Sequence, residues 1–219
     1  MIVDLNLRGK LVIIIGCGNE CLKKIEALSN QNCKILLICN IINQEIGNVI
    51  KKNENITVKK MKIDESNINK VFCYKPFLVM AATDNKTINK TILQRAKIHC
   101  NRYAVDDPDD SDFSHPAIIT FNNFIQIAIS TKKKSPLVSK QIKIKTKKIF
   151  KKIIKDEEIY KIKLQFIVRK LAKKLITSSQ KRKKILYKIW NDKEITKYIE
   201  LREFEEARSN AIMLLNDLR

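Results

Sequence analysis

The sequence has few of the residues and patterns that build metal sites, disulfide frameworks and membrane spans. Two of its 219 residues are histidine, and its six cysteines form no CxxC pair. We therefore expect no metal site and cysteines that are reduced, structural thiols. No apolar run approaches the roughly 18 residues of a membrane-spanning helix, and the first residues lack the pattern of a signal peptide. These absences favour a cytoplasmic protein without a membrane partner.

Positive charge is concentrated in the second part of the chain. Residues 1–131 hold 17 Lys/Arg and 13 Asp/Glu, whereas residues 132–219 hold 27 and 10, and the total net charge is +21. A basic half indicates an anionic partner, such as nucleic acid, a membrane surface or a polycarboxylate ligand. The chain is also rich in Ile, Lys and Asn, so the alternative that much of the lysine excess lies on solvated faces stays open.

The first 106 residues alternate between strand-like and helix-like segments. Strands that alternate with helices indicate parallel βαβ units, and continuous apolar runs indicate strands covered on both faces. We therefore predict an α/β fold with a Rossmann-like parallel sheet. The predicted strands are 11–15, 34–39, 57–63, 77–82 and 103–105, and the predicted helices are 19–31 and 85–100.

The pattern changes after residue 106. Two apolar segments, 116–121 and 124–130, flank Asn122-Asn123 and predict a β-hairpin. Ser135 suits a helix N-cap and Pro136 the first helical position. The rest is helical almost to the end, with a break at 177–179. The expected divisions are 1–113 for the sheet domain, 114–150 for the hairpin region and 151–219 for a C-terminal helical domain.

A glycine-containing turn follows the first predicted strand and opens the first predicted helix. Its sequence is Gly16-Cys17-Gly18-Asn19-Glu20-Cys21. A dinucleotide site uses this order because glycine lets the backbone approach the pyrophosphate, which the helix N–H groups then face. Cys21 stands at the third glycine position, and Asn40 stands where an acidic residue usually binds the ribose. A turn that binds nothing is the alternative.

The end of the 77–82 strand supports the dinucleotide interpretation. Ligands of doubly wound sheets bind beyond the carboxyl ends of the strands, so Ala82 and Thr83 should share one crevice with the glycine turn and leave room for ribose and base. No basic residue directly follows Cys39 to receive a 2′-phosphate, which favours NAD over NADP as the cofactor. The predicted cofactor-binding residues are Gly16, Cys17, Gly18, Asn19, Glu20, Asn40, Ala82 and Thr83.

Four phrases, taken in order and spacing, carry a family resemblance: LNLRGKLVIIIGCGNECLKK at 5–24, AATDNKTIN at 81–89, YAVDDPDDSDFSHPAII at 103–119 and IAISTKKKSP at 127–136. Over about residues 4–150 the chain resembles the precorrin-2 dehydrogenase family, which is the N-terminal portion of sirohaem synthase. The helical tail matches only in length and character.

The resemblance implies a homodimer with an NAD-binding Rossmann domain, a dimerisation region at 114–150 and a C-terminal helical domain. It also implies NAD-dependent oxidation of the tetrapyrrole precorrin-2 to sirohydrochlorin in sirohaem biosynthesis. Some members also insert iron, so ferrochelatase activity with Fe2+ as a substrate stays open.

The family's catalytic aspartate ends a motif like N-V-V-D, which matches Tyr103-Ala104-Val105-Asp106. The resemblance therefore makes Asp106 the catalytic residue. Dehydrogenation releases a hydride and a proton, and a carboxylate at a strand end can take the proton. The alternative is that Asp106 only starts the acidic turn. Asp107 is the other candidate for the catalytic aspartate.

The largest departure from the family lies after the hairpin, where Lys132 and Lys133 replace two glycines. Precorrin-2 is a polycarboxylate, so cations near it would be sensible; a solvated lysine run is the alternative. His115 could assist proton transfer or metal delivery, although a lone loop histidine is often incidental. The substrate-binding residues expected from the resemblance are Ser130, Thr131, Lys132, Lys133, Ser135 and His115.

Two other functions remain open beside the enzyme. One is an NAD-sensing Rossmann domain with a basic helical tail that binds nucleic acid. The tail shows no helix-turn-helix spacing, RNA-binding motif or zinc finger, so nucleic acid is not the expected partner. The other is a tetrapyrrole carrier that has lost catalysis.

Overall fold

The computed structural model describes residues 2–107, 109–132 and 134–218. The chain divides into two compact units, Met1–His115 and Pro116–Arg219. The first unit contains a parallel sheet with helices, and the second contains a β-hairpin followed by helices.

The first unit is built on a five-stranded parallel sheet with the order β3-β2-β1-β4-β5. This order places β1 beside β4, where the direction of winding reverses, and it confirms the Rossmann-like prediction. The strands are β1 (Leu11–Ile15), β2 (Lys34–Cys39), β3 (Ile56–Lys60), β4 (Leu78–Ala81) and β5 (Asn101–Ala104). The helices are α1 (Asn19–Ser29), α2 (Gln44–Lys51) and α3 (Lys86–Ala96), with a 3-10 segment at Ile68–Tyr74.

The continuous apolar strands are explained by the two cores that flank the sheet. Ile14 packs with residues of α1 and α2 on one face. Ile13 packs with residues of the 3-10 segment and α3 on the other. Because successive side chains of a strand point to opposite faces, a strand buried on both faces has no polar alternation. The helix α2 and the 3-10 segment go beyond the prediction from sequence.

The second unit begins with the predicted hairpin, which pairs β6 (Ala117–Phe121) with β7 (Ile125–Ile129). Phe121 pairs with Ile125, so residues 122–124 connect the strands. Asn122 and Asn123 both have positive φ and lie at the centre of a turn that the N–H of Phe124 closes by donating to the carbonyl of Phe121 at 3.0 Å. The Oγ of Ser135 accepts a hydrogen bond from the N–H of Val138, so the predicted N-cap is confirmed.

The helical tail consists of separate helices with their own core. They are α4 (Pro136–Ile153), α5 (Asp156–Leu175), α6 (Ser179–Trp190), α7 (Lys193–Glu200) and α8 (Phe204–Asp217). The predicted break at 177–179 falls between α5 and α6. Residues such as Val168, Ile189 and Leu215 are buried in a core formed by α5 to α8. None of the helices in the described ranges is both long and apolar enough to span a bilayer.

Candidate functional site

The glycine turn is packed directly against the end of β4. The N–H of Gly16 donates to the carbonyl of Ile38 at 3.0 Å, and the N–H of Ala82 donates to that of Ile15 at 2.8 Å. Gly16 has φ +136°, and a Cβ added there would lie 2.1 Å from the carbonyl oxygen of Ala82. Only glycine fits this contact, which brings the turn and the Ala82-Thr83 segment together.

The first turn of α1 has the open geometry of an anion site. Gly18 is the N-cap, and no side chain caps the helix there. The unpaired N–H groups at a helix N-terminus and the helix dipole both favour negative charge. A Cβ added to Gly18 would meet only the Oδ1 of Asp84, at 3.8 Å. The bare backbone at Gly18 therefore leaves an approach for a pyrophosphate, so these residues fit a dinucleotide.

Cys21 explains how the chain dispenses with the third glycine of the fingerprint. Its side chain is fully buried, and its Sγ donates to the carbonyl of Gly16 at 3.2 Å. Burial, reinforced by neighbouring Cys39 and Cys17, raises the pKa of the Cys21 thiol to about 12. The thiol is therefore neutral and holds the turn. In the described ranges, no three His, Cys, Asp or Glu side chains are grouped to hold a metal ion.

Asparagine side chains stand at the end of β2. Asn40 directly follows β2 and is exposed, so its amide is open to a ligand. Asn43 caps α2 by accepting from the N–H of Ile46 at 2.8 Å, and its Nδ2 donates to the carbonyl of Cys17 at 3.5 Å. Asn43 thus ties α2 to the glycine turn, a link that the sequence pattern did not reveal.

Asp106 lies just beyond β5 and is joined to the end of β4 through Asn89. The Nδ2 of Asn89 donates to both carboxylate oxygens of Asp106, each at 3.2 Å. The same side chain bonds the backbone and the hydroxyl of Thr83. Asn89 is 2% exposed and was not among the predicted site residues. Its signal in the sequence is a polar residue on the apolar stripe of α3.

Asp107 has a different environment from Asp106. Its Oδ1 accepts from the N–H of Asp110 at 3.1 Å, and its carbonyl accepts from the hydroxyl of Ser111 at 2.7 Å. The contacts of Asp107 therefore stabilise the acidic turn, which favours Asp106 over Asp107 as the candidate catalytic carboxylate.

His115 belongs to an aromatic cluster beside α1. Its ring makes an edge contact with Tyr103 at 4.7 Å and lies 5.5 Å from Phe113, while the Nζ of Lys24 is over the Tyr103 ring. Burial of the imidazole and then the charge of Lys24 lower the pKa of His115 to about 4, although part of the residue is open to solvent. In the part of the chain that the structure describes, His115 makes no hydrogen bond to Asp106 or Thr83.

The predicted loop at 130–135 lies in the second unit and is folded by its own hydroxyl groups. The Oγ1 of Thr131 accepts from the N–H of Ser135 at 3.1 Å, and the Oγ of Ser130 accepts from the N–H of Lys132 at 3.1 Å. Lys132 has φ +51°, a left-handed conformation that glycine adopts without strain. This agrees with the glycine that the precorrin-2 dehydrogenase family has at the matching position. Lys133 lies outside the described residues.

The geometry defines an NAD(P)-binding protein of the Rossmann type, and comparison with known proteins agrees. The family described as "Putative NAD(P)-binding" matches residues 3–117. The chain belongs to this family.

Two curated relatives and one solved structure give the similarity in more detail. The precorrin-2 dehydrogenase of Priestia megaterium is 25% identical over 204 residues, which are 92% of this chain and 95% of that protein. The siroheme synthase of Neisseria meningitidis serogroup C is 28% identical over 142 residues, 64% of this chain; the match spans only 28% of its length. The solved structure of SirC, precorrin-2 dehydrogenase, superposes with a TM-score of 0.69 at 21% identity, covering 96% of this chain and 99% of that chain. SirC therefore shares the fold.

Proposed function

We propose that this protein is an NAD-dependent dehydrogenase that oxidises precorrin-2 to sirohydrochlorin in sirohaem biosynthesis. The observation that carries the proposal is that the glycine turn and the hydrogen-bonded carboxylate of Asp106 lie at the same edge of the sheet. Gly16 contacts the end of β4, and Asn89 links that end to Asp106. Similarity to the Priestia enzyme over nearly the whole of both chains supports the substrate.

The cofactor would be held mainly by backbone groups. The turn from Gly16 to Glu20 would receive the pyrophosphate at the N-terminus of α1, with Asn40 near the ribose and Ala82 and Thr83 lining the other side. When bound, the nicotinamide would accept the hydride that leaves the substrate. NAD is favoured over NADP because no basic residue directly follows β2.

Asp106 would take the proton that leaves the substrate with the hydride. A general base needs an accessible acceptor oxygen in a fixed place. Asn89 supplies the fixed place, since its amide donates to both oxygens at 3.2 Å. A carboxylate still has acceptor sites free after these contacts, so Asp106 can receive a proton from a substrate in the crevice.

The residues proposed to contact the tetrapyrrole carboxylates are those that the family resemblance implies. In the second unit they are Ser130, Thr131, Ser135 and Lys132, whose side chain is exposed, together with Lys133. For the first unit, taken by itself, we propose His115. Because the pKa of His115 is lowered to about 4, it would act at neutral pH as an uncharged hydrogen-bonding group.

We further propose that the protein is a cytoplasmic homodimer, divided into 1–113, a dimerisation region at 114–150 and 151–219. The six cysteines are free thiols, as is usual in a reducing compartment. Apolar residues are exposed on α4 and on the hairpin, and exposed apolar side chains in number are typical of interfaces. They are Ile118, Phe124, Leu137, Val138, Ile142, Ile144, Ile149 and Ile153. Sedimentation velocity tests the dimer.

The central experiment supplies precorrin-2 and NAD+ anaerobically and follows the visible spectrum of sirohydrochlorin. Loss of the general base in Asp106→Asn should lower kcat by roughly 10²-fold or more. Asp107→Asn is the matched control, and its kcat should stay close to that of the wild type. Equal rates in wild type and Asp106→Asn would refute the assigned role. A wild type that binds NAD+ yet yields no sirohydrochlorin would refute the substrate. Fe2+ added after oxidation reports on iron insertion.

A further inference from the structure

We propose that Asn89 is the positioning residue for Asp106 and couples the placement of that carboxylate to the strand end that lines the cofactor crevice. The inference rests on the proposed function, in which Asp106 receives the substrate proton. Asn89 is 2% exposed, so it acts through Asp106 and not on a substrate.

The orientation of the Asn89 amide is fixed by its neighbours. The backbone N–H of Thr83 can only donate, so the amide atom 3.2 Å from it must be the oxygen. The Thr83 hydroxyl donates to the same oxygen at 2.6 Å. The amide nitrogen therefore faces the carboxylate of Asp106.

The two protons of the Asn89 amide have separate acceptors. The carbonyl of Thr83 accepts from Nδ2 at 2.9 Å, and the two oxygens of Asp106 lie at equal distances of 3.2 Å from the same nitrogen. A donor that faces both oxygens matches a carboxylate acceptor. The Asp106 group is thus fixed both in position and as a hydrogen-bond acceptor.

The same contacts connect Asp106 to the glycine turn. Thr83 directly follows Ala82, whose carbonyl oxygen is the closest approach to Gly16. Since Asn89 bonds the N–H, the carbonyl and the hydroxyl of Thr83, a shift of the β4 end is transmitted to the carboxylate. The arrangement keeps the carboxylate of Asp106 and the glycine turn in fixed positions relative to each other.

Asn89→Asp gives the sharpest test because it keeps the size and the acceptor oxygen of the side chain and replaces the donating nitrogen by an ionisable oxygen, which faces Asp106 and the Thr83 carbonyl. The new side chain can still accept from Thr83, but it sets a second carboxylate against Asp106, and repulsion favours a shared proton. We expect the acid limb of the kcat profile to move to higher pH by about one unit or more. Asn101→Asp is the control, since it makes the same change at the opposite end of β5. A profile for Asn89→Asp that superimposes on that of the wild type would overturn the proposal.

A double-mutant cycle separates positioning from a general structural effect. Asn89→Leu should lower kcat by roughly 10²-fold, as a displaced catalytic group does, and this fall should exceed any rise in the KM for NAD+ that follows from the lost contacts with Thr83. In an Asp106→Asn background the same change should have little further effect, because Asn89 has lost the group on which it acts. Losses that multiply would contradict the proposal.

The side-chain amide resonance of Asn89 provides a readout that needs no turnover. Its 15N and 1H shifts should titrate in the wild type as Asp106 gains a proton, and the titration should vanish in Asp106→Asn. If the wild type shows no dehydrogenase activity but the amide titrates in this way, the positioning stands and the substrate assignment fails. An amide that does not respond to Asp106 refutes the positioning itself.

Discussion

Replacing Gly16 by alanine should destabilise the first unit strongly. The position has φ +136°, and a Cβ there would lie 2.1 Å from the carbonyl oxygen and 2.5 Å from the carbonyl carbon of Ala82. The unfavourable φ costs about 1–3 kcal/mol. Relieving the contact requires a backbone shift of about 1 Å, which threatens the hydrogen bond from Ala82 to Ile15, worth about 1 kcal/mol. We expect a loss of roughly 3–5 kcal/mol, a large part of a typical domain stability of about 5–15 kcal/mol.

Urea unfolding followed by two spectroscopic probes measures the loss of unfolding free energy and assigns it to one of the two units. Far-UV circular dichroism reports both units, whereas the single tryptophan, Trp190, lies in α6 and reports the second unit. The Gly16→Ala transition should therefore move in the dichroism signal and stay near its wild-type position in fluorescence. A dichroism-derived stability within about 1 kcal/mol of the wild type would refute the reasoning.

Two other glycines serve as matched controls for the same substitution. Gly18 has φ −83°, and a Cβ there would make only an ordinary contact of 3.8 Å with the Oδ1 of Asp84, so Gly18→Ala should fold normally but bind NAD+ more weakly, because the methyl group enters the pyrophosphate approach. Gly47 lies inside α2, and an added Cβ would meet Ile42 at 3.9 Å. Gly47→Ala should therefore stabilise the protein by about 0.5–1 kcal/mol.

The remaining predictions concern a loop lysine and the histidine that packs against Tyr103 and Phe113. Lys132 and Lys75 both have φ +51°, so glycine at either position should raise stability in urea by about 0.5–1 kcal/mol; only Lys132→Gly should raise the KM for precorrin-2, and an unchanged KM would separate Lys132 from substrate binding. Since the pKa of His115 falls from 6.5 to about 4 on folding, the unfolded chain binds more protons between these values and stability rises with pH there. His115→Phe should flatten that rise in urea midpoints measured from pH 4 to 6.5, and an equally steep rise would contradict the lowered pKa of His115.

The sheet and the glycine turn could be predicted because few alternatives fit their sequence. A strand covered on both faces leaves a continuous apolar run, and β1 and β2 appear at their predicted bounds. The nearness of Gly16 to Ala82 also follows from a general rule, since the carboxyl ends of neighbouring parallel strands meet at one edge. These features depend on backbone geometry more than on particular side-chain contacts.

Asn89 could not be assigned in the same way. Its role depends on how α3 packs on the sheet and on which amide atom faces Thr83, and neither is encoded in a local pattern. His115 presents the same difficulty, because its pKa is set by burial against Tyr103 and by Lys24, residues distant in the sequence.

The boundary between α4 and α5 was missed for a different reason. Residues 154–155 contain neither glycine nor proline, and the lysine-rich pattern runs on across them. The structural signal is a carboxylate three residues into the next helix: the Oε2 of Glu158 accepts from the N–H of Lys155 at 2.8 Å. Such a contact from a carboxylate at the third helical position to the N–H of the N-cap residue marks a helix start, but without Ser or Thr at the N-cap it is hard to recognise in the sequence.

The first and third glycine positions of the dinucleotide fingerprint differ in how well they accept a side chain, and the contacts in the structure explain the difference. The third glycine position requires a small group between helix and strand, and Cys21 meets that need while its thiol bonds the carbonyl of Gly16. Gly16 has no such substitute, because any Cβ would meet the backbone of Ala82. A fingerprint of this kind therefore tolerates change where a side chain can replace the lost contact, and it resists change where backbone meets backbone.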